Sequence, residues 1–188
     1  MANGITIALD MERWLGPPTA EECEVLDRLI PPVLDVGCGP GRHVLACAEK
    51  GMIALGLDAA AAAIEIALAR GAPVLQRSIF ASVPGAGRWC SALLLDGNIG
   101  IGGDPEALLT RVRALLRNGG MVFVEVQAPG TPSYTTAARV VTGGEKSEWF
   151  PWAIVGSDSL PHVAGVTGYL PPTKWEREGR WFAALAAS

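Results

Sequence analysis

Residues 33–41 read Val33–Leu34–Asp35–Val36–Gly37–Cys38–Gly39–Pro40–Gly41. An apolar run interrupted by one acid marks a short buried strand. Three alternating glycines follow, and a helix begins behind them and runs through about Glu49. A strand that bends sharply into a helix brings backbone N–H groups and the positive helix end to one point, beside the carboxyl end of a sheet. Glycine permits positive φ and lets a ligand come close to the backbone. An ordinary tight turn is the bland alternative, but three alternating glycines behind an acid exceed what such a turn needs.

The spacing narrows the ligand. A dinucleotide fingerprint, GxGxxG, counted from Gly37 requires glycine at position 42, where the chain has Arg42. No Gly-Lys-Ser/Thr follows, so the phosphate loop fails as well. What stands is GxGxG with Asp35 two residues ahead of it. An acid there is ill placed beside a pyrophosphate and well placed beside an ammonium group. Asp58 is a second anchor: it ends the apolar run Met52–Asp58, 21 residues after Gly37. A carboxylate at that point can accept hydrogen bonds from both hydroxyls of a ribose. Capping the helix that starts at Ala59 is the competing reading, and two carboxylate oxygens allow both.

Outward from this centre, strands and helices alternate. A helix over about 19–30 opens with the capping box Thr19–Glu22 and is stopped by Pro31–Pro32. After Met52–Asp58 come a helix over Ala59–Arg70, a strand near Val74–Arg77 and the apolar strand Cys90–Asp96. A well-marked helix has Asp104 as N-cap, Pro105 at its first position and Leu108, Leu109, Val112, Leu115 and Leu116 on one face. Gly119–Gly120 is read as its end and Met121–Val126 as the next strand. Beyond it, Glu148–Val155 reads as a sixth strand, Asp158–Val166 as a short helix, and Lys174–Leu185 as a seventh strand broken at Glu178–Gly179–Arg180. Segment 127–147 reads as loop, with an unplaced strand within it as the alternative. Continuous apolar strands alternating with helices predict a doubly wound α/β fold, three layers deep, whose seven-stranded sheet is mostly parallel with an antiparallel C-terminal strand. We expect one domain over 1–188: a helical segment at 1–31, a cofactor-binding core at 32–126 and substrate-side strands at 127–188.

Composition excludes several functions. With a formal net charge of −4 and its densest basic cluster, Arg111–Arg113–Arg117, on the polar side of a helix, the chain lacks the footprint of a nucleic-acid binder. Four cysteines show neither CxxC pairing nor Cys/His ligand spacing, so no metal is expected. No signal-peptide pattern and no membrane-length apolar run is present, and the expectation is a soluble, cytoplasmic protein with free thiols.

The stretch 33–41 closely resembles the first motif of class I S-adenosylmethionine-dependent methyltransferases, Asp58 matches the family's acid at the end of strand two, and Cys90–Asp96 and Leu115–Val126 resemble its later blocks. The resemblance covers about 33–126 and implies a Rossmann-like fold with S-adenosylmethionine as cofactor. It implies that Gly37, Cys38, Gly39 and Gly41 face the methionine part and ribose, that Asp35 holds the amino group and Asp58 the ribose, and that Ala59 lies near the adenine. Many members carry an acid after strand three for the adenine amino group; this chain has Ser78 there, which departs from the family pattern but can still hydrogen-bond, followed by Ile79 and Phe80, so the resemblance implies Ser78, Ile79 and Phe80 at the adenine, with Phe80 flanking the base or belonging to the core.

Asp96 and Asn98, at the end of the fourth strand, are the candidates for positioning cofactor or acceptor, with a polar loop as the alternative reading. No general base is assigned. Asp96–Gly97–Asn98–Ile99 differs from the Asn/Asp-Pro-Pro-aromatic of members that methylate amide or base nitrogens. His43 and His162 read as surface or satisfied histidines. Glu125 and Gln127 are candidates for an acceptor pocket, with Trp149, Phe150 and Trp152 as its wall or as core, and Arg13 and Trp14 are placed to close over the cofactor. The function implied is methyl transfer to a small-molecule acceptor; a non-catalytic, methyltransferase-like binding module is the alternative.

Overall fold

The computed structural model describes residues 4–8, 11–142 and 144–188. In chain order its elements are β1 (Ile5–Ala8), α1 (Met11–Leu15), α2 (Ala20–Leu26), β2 (Val33–Val36), α3 (Arg42–Glu49), β3 (Ala54–Asp58), α4 (Ala61–Ala69), β4 (Val74–Gln76) and β5 (Trp89–Leu94). They continue with α5 (Pro105–Leu115), β6 (Leu116–Val126), β7 (Tyr134–Thr142), β8 (Glu145–Lys146), β9 (Phe150–Ile154), α6 (Leu160–Val166), β10 (Thr173–Arg177) and β11 (Arg180–Ala186).

Seven strands form the main sheet in the order β10-β11-β6-β5-β2-β3-β4. β2 to β6 are mutually parallel, and β11 runs antiparallel to β6 and to β10. The doubly wound fold expected from the sequence is therefore present. Side chains alternate along each strand, and the alternation divides the core. Val33, Leu93, Phe123 and Phe182 pack on Val25 and Leu26 of α2 and Cys47 of α3. Leu34, Ala92, Val122, Val124 and Leu185 pack on Leu108, Leu109, Val112 and Leu115 of α5 and Leu160 of α6. Covering both faces explains why these strands carry no polar stripe. The predicted caps form: Thr19 and Glu22 make the capping box, and the Asp104 carboxylate accepts the Ala107 N–H at 2.9 Å.

Five expectations are corrected. α5 stops at Leu115 and β6 begins at Leu116, pairing with Trp89, so the helix never reaches Gly119–Gly120. Arg117 consequently lies in a strand, while Arg111 donates to the carbonyls of Ile79 and Ala81 and Arg113 to that of Gly168; two of the three arginines tie loops together instead of forming a solvated face. Glu148–Val155 is not a strand of the main sheet, because Lys174–Leu185 supplies both remaining strands through a hairpin at Glu178 (φ 47°) and Gly179 (φ 78°). Instead β9 joins β1, β7 and β8 in a second sheet, so segment 127–147 contains two strands and segment 1–31 contains one, β1, parallel to β7.

The second sheet is seated on the loop that follows β5. Thr135 Oγ1 donates to the Gly103 carbonyl at 2.9 Å, and Ile101 forms an isolated bridge with Trp152. A Cβ at Gly100 would overlap the carbonyl oxygen of Ala153. Among the described residues no helix is long and apolar enough to cross a membrane. Gly100→Ala is expected to lower stability by about 2 kcal/mol or more by forcing the sheets apart. Gly165→Ala, whose Cβ would meet nothing within 4 Å, should be neutral or stabilising. Urea denaturation of the two variants checks this, and a neutral Gly100→Ala contradicts the docking.

Candidate active site at the glycine turn

The bend from β2 to α3 holds Gly37, Gly39 and Gly41 at φ 75°, 52° and 82°, the left-handed region that disfavours side chains. The N–H groups of Gly37 and Cys38 donate to the Leu57 carbonyl at 2.8 and 3.0 Å, tying the bend to β3. Space is also limiting. A Cβ on Gly37 would lie 2.6 Å from Asn98 Nδ2, because Asn98 donates to the carbonyls of Val36 and Gly37, both at 2.9 Å. Asn98 thus braces the turn. The Trp14 ring covers Gly39, 3.4 Å from where a Cβ would stand. The Cys38 side chain is buried against Gly56, and burial pushes its thiol far above the usual range; Cys38 packs the turn and is not a nucleophile.

Asp58 accepts the Gly39 N–H at 2.9 Å on Oδ2 and the Ala60 N–H at 2.8 Å on Oδ1. It therefore links the glycine turn to the lead-in of α4, although the N-cap position itself falls on Ala60. Each oxygen keeps a further lone pair for a ligand hydroxyl. Asp35 is buried, and its Oδ2 has no hydrogen-bond partner. Burial drives its pKa up to about 6, against the lowering influence of His43 and Arg42 and with the support of Asp96 and Asp58. A buried carboxylate left in this state is costly to the fold by itself.

The largest electrostatic feature was not legible from motifs. Glu22 is fully buried and receives both Arg42 guanidinium nitrogens at 2.8 Å, Arg180 Nη1 at 2.8 Å and the Thr19 N–H at 3.0 Å. His43 Nε2 lies 3.4 Å away. Burial opposes ionisation of Glu22, but His43, the Thr19 N–H and Arg42 outweigh it and hold the pKa far below the usual range. Asp96, itself at φ 54°, binds Arg42 at 2.6 Å and Arg13 at 3.0 Å. Its backbone N–H donates to Glu125, which Arg180 grips through two bonds at 2.9 and 2.7 Å. Glu22, His43 and Asp96 lie close enough to share a cation, but the two carboxylates already bind three guanidinium groups.

The other candidates are dispersed. Ile79 belongs to the core. Ser78 is exposed and its Oγ accepts the Phe80 N–H at 3.3 Å; Ala59 is exposed as well. Half-exposed Phe80 packs toward Gly102, in the loop that Asn98 opens. Trp152 packs toward Gly100, whereas Trp149 is half-exposed and stacks under Arg139. His162 and Gln127 are exposed, but His43 is buried, not superficial. A cleft of about 400 Å³ opens between β7, β9 and the starts of α5 and α6, and no residue of the glycine turn lines it.

The turn, Asp58 and the strand order agree with the sequence comparison, in which the family model described as a methyltransferase domain matches residues 33–120. Residues 33–120, which carry the glycine turn, Asp58 and Asn98, are thus similar to a methyltransferase domain. Solved methyltransferases share the fold. One from Bacteroides fragilis, in complex with S-adenosyl-L-homocysteine, superposes with a TM-score of 0.80 at 20% identity, covering 96% of this chain and 83% of that one. An amino pentose methyltransferase from Micromonospora echinaspora, bound to S-adenosylmethionine, gives 0.70 at 17% identity over 95% of each chain. A 1,6-didemethyltoxoflavin-N1-methyltransferase from Burkholderia thailandensis gives 0.60 at 18%, covering 83% of this chain and 70% of that one. No curated protein matches in sequence.

Within the matched segment, Asp35 makes a signed prediction. Its folded-state value of about 6 exceeds the ordinary 3.8, so the unfolded chain releases its proton first. Stability contributed by the protonated form is intact below about pH 4 and declines as pH rises towards 6. Asp35→Asn should therefore stabilise the ligand-free protein by about 1–3 kcal/mol at pH 7 and by little at pH 4. Urea titrations at both pH values check it, and an equal effect at both contradicts it.

Proposed function

We propose that the chain methylates a small molecule, with S-adenosylmethionine held at the glycine turn. The observation that carries this reading is the unpartnered, buried Asp35 Oδ2 beside a turn whose other acid, Asp58, keeps acceptor capacity. The residues fit the cofactor's two ends: Asp35 would receive its ammonium group, Asp58 its ribose hydroxyls, and the backbone of Gly37–Gly41 would lie against the part between them. When bound, the cofactor supplies a methyl group on a positively charged sulfur, an activated leaving group. The chain then has mainly to align donor and acceptor, and such positioning is worth roughly 7–11 kcal/mol. Asn98 holds the turn's backbone still from one side, and Trp14 covers it from the other. Asp96 and Glu125 lie at the ends of β5 and β6 next to that turn and are our candidates for orienting the acceptor. A general base is optional in this chemistry.

S-adenosylhomocysteine should raise the melting temperature in a concentration-dependent way, as a ligand of the native state must. Asp58→Ala should weaken its binding about tenfold or more, the worth of one or two charge-assisted hydrogen bonds. Because ammonium capture needs the Asp35 anion, affinity should fall as pH drops below about 6 and lose that dependence in Asp35→Asn. Calorimetric titration reads all three. Absence of any thermal shift at millimolar ligand contradicts the reading.

A further inference from the structure

Glu22 lies outside every methyltransferase motif, yet it is the hub from which Asp96 is held twice. One arm runs from Glu22 through Arg42, bidentate at 2.8 Å, to the Asp96 carboxylate at 2.6 Å. The other runs from Glu22 through Arg180 at 2.8 Å to Glu125, whose Oε2 accepts the Asp96 N–H at 2.8 Å. Arg13 adds contacts to Asp96 at 3.0 Å and Glu22 at 3.4 Å. Three guanidinium groups thus face three carboxylates, with Arg42 and Glu22 almost wholly buried. His43 stands between Glu22 and Asp35. Two residues beyond Asp96, Asn98 touches Gly37, so this neutral cluster adjoins the turn.

Charge balance there has a consequence for ligand choice. The methyl donor carries a positive sulfur and the demethylated product does not; the two are otherwise nearly identical. A cluster with an uncompensated arginine would repel the donor selectively, and one with an uncompensated carboxylate would favour it. We propose that Glu22 is a specificity-determining residue for the methyl donor: by neutralising Arg42 and Arg180 it lets the sulfonium form bind without a penalty relative to its product. The inference rests on the cofactor reading above. It also gives the unusual burial of a carboxylate with two arginines a role beyond holding α2 to β11.

The test is the ratio of affinities for S-adenosylmethionine and S-adenosylhomocysteine, measured by calorimetric titration. Glu22→Gln should reduce the preference for the donor by about threefold or more. Arg180→Gln should increase it by a similar factor, and the double variant should return within about twofold of the wild-type ratio. A general loss of structure weakens both ligands alike and does not produce shifts of opposite sign. Single variants whose ratios stay within about twofold of wild type, or move in the same direction, overturn the proposal. If Glu22→Gln does not fold, Arg180→Gln decides alone: a raised donor preference supports the proposal, and an unchanged or lowered one overturns it. Wild-type protein that binds neither ligand refutes the cofactor reading itself, and this inference with it.

Discussion

One backbone constraint organises the site: the chain passes from β2 into α3 through three glycines at positive φ, and at Gly37 and Gly41 a side chain has no room. Left-handed backbone alone would favour glycine. Here the amide of Asn98 crowds Gly37, the Cβ of Ala72 crowds Gly41, the ring of Trp14 lies over Gly39, and the Leu57 carbonyl ties down the N–H groups of Gly37 and Cys38. The turn is therefore both strained against substitution and fixed in place. The turn's own N–H groups are taken up by Leu57, Asp58 and Cys38, so what the bend offers a ligand at the carboxyl end of the parallel sheet is a rigid, side-chain-free backbone to lie against. The seven-stranded sheet supplies the rigidity, since β2 is flanked by β3 and β5 and buried on both faces.

Much of this was legible in the sequence because the signals are local. Alternating glycines, the Thr19–Glu22 box, the Asp104–Pro105 helix start and the apolar runs each depend on residues a few positions apart. The doubly wound, mostly parallel sheet follows from the alternation of strands and helices. What misled was also local. Tyr134–Thr142 is rich in Thr, Ala and Val with polar ends and an arginine in its middle, so no long apolar run announces it, although it is the central strand of the second sheet. Phe150–Ile154 looked like a main-sheet strand because periodicity says nothing about which sheet a strand joins. The apolar pattern runs the helix before β6 past its end because Leu116 continues the apolar face of α5 while its backbone is already extended.

The site shows the same division. Asp35 and Asp58 can be set beside the glycine turn because they are fixed by the ends of the strands around it, whereas the bond from Asn98 to the turn's carbonyls is not announced by spacing. Glu22, Arg42 and Arg180 cannot be so placed, since their association depends on tertiary contacts spanning up to 158 positions. Glu22 was read as a helix cap, which it is, and Arg42 only as the residue that spoils a dinucleotide fingerprint. Capping leaves a carboxylate free to make further bonds, and burial makes those bonds compulsory. A cluster of this kind is a weak source of net stability but a strong source of register, here between α2, α3 and the ends of β5, β6 and β11.

Two buried acids thus sit on either side of one question. Glu22 is fully compensated by the protein, and Asp35 is not. The incomplete one points to a positively charged ligand as the missing partner. A crystal structure grown with S-adenosylhomocysteine addresses this most directly. The account predicts the ligand lying along Gly37–Gly41, with its amino group within hydrogen-bonding reach of Asp35, directly or through one water, and its ribose on Asp58. Density for the ligand elsewhere, or a glycine turn left empty at saturating concentration, would contradict it.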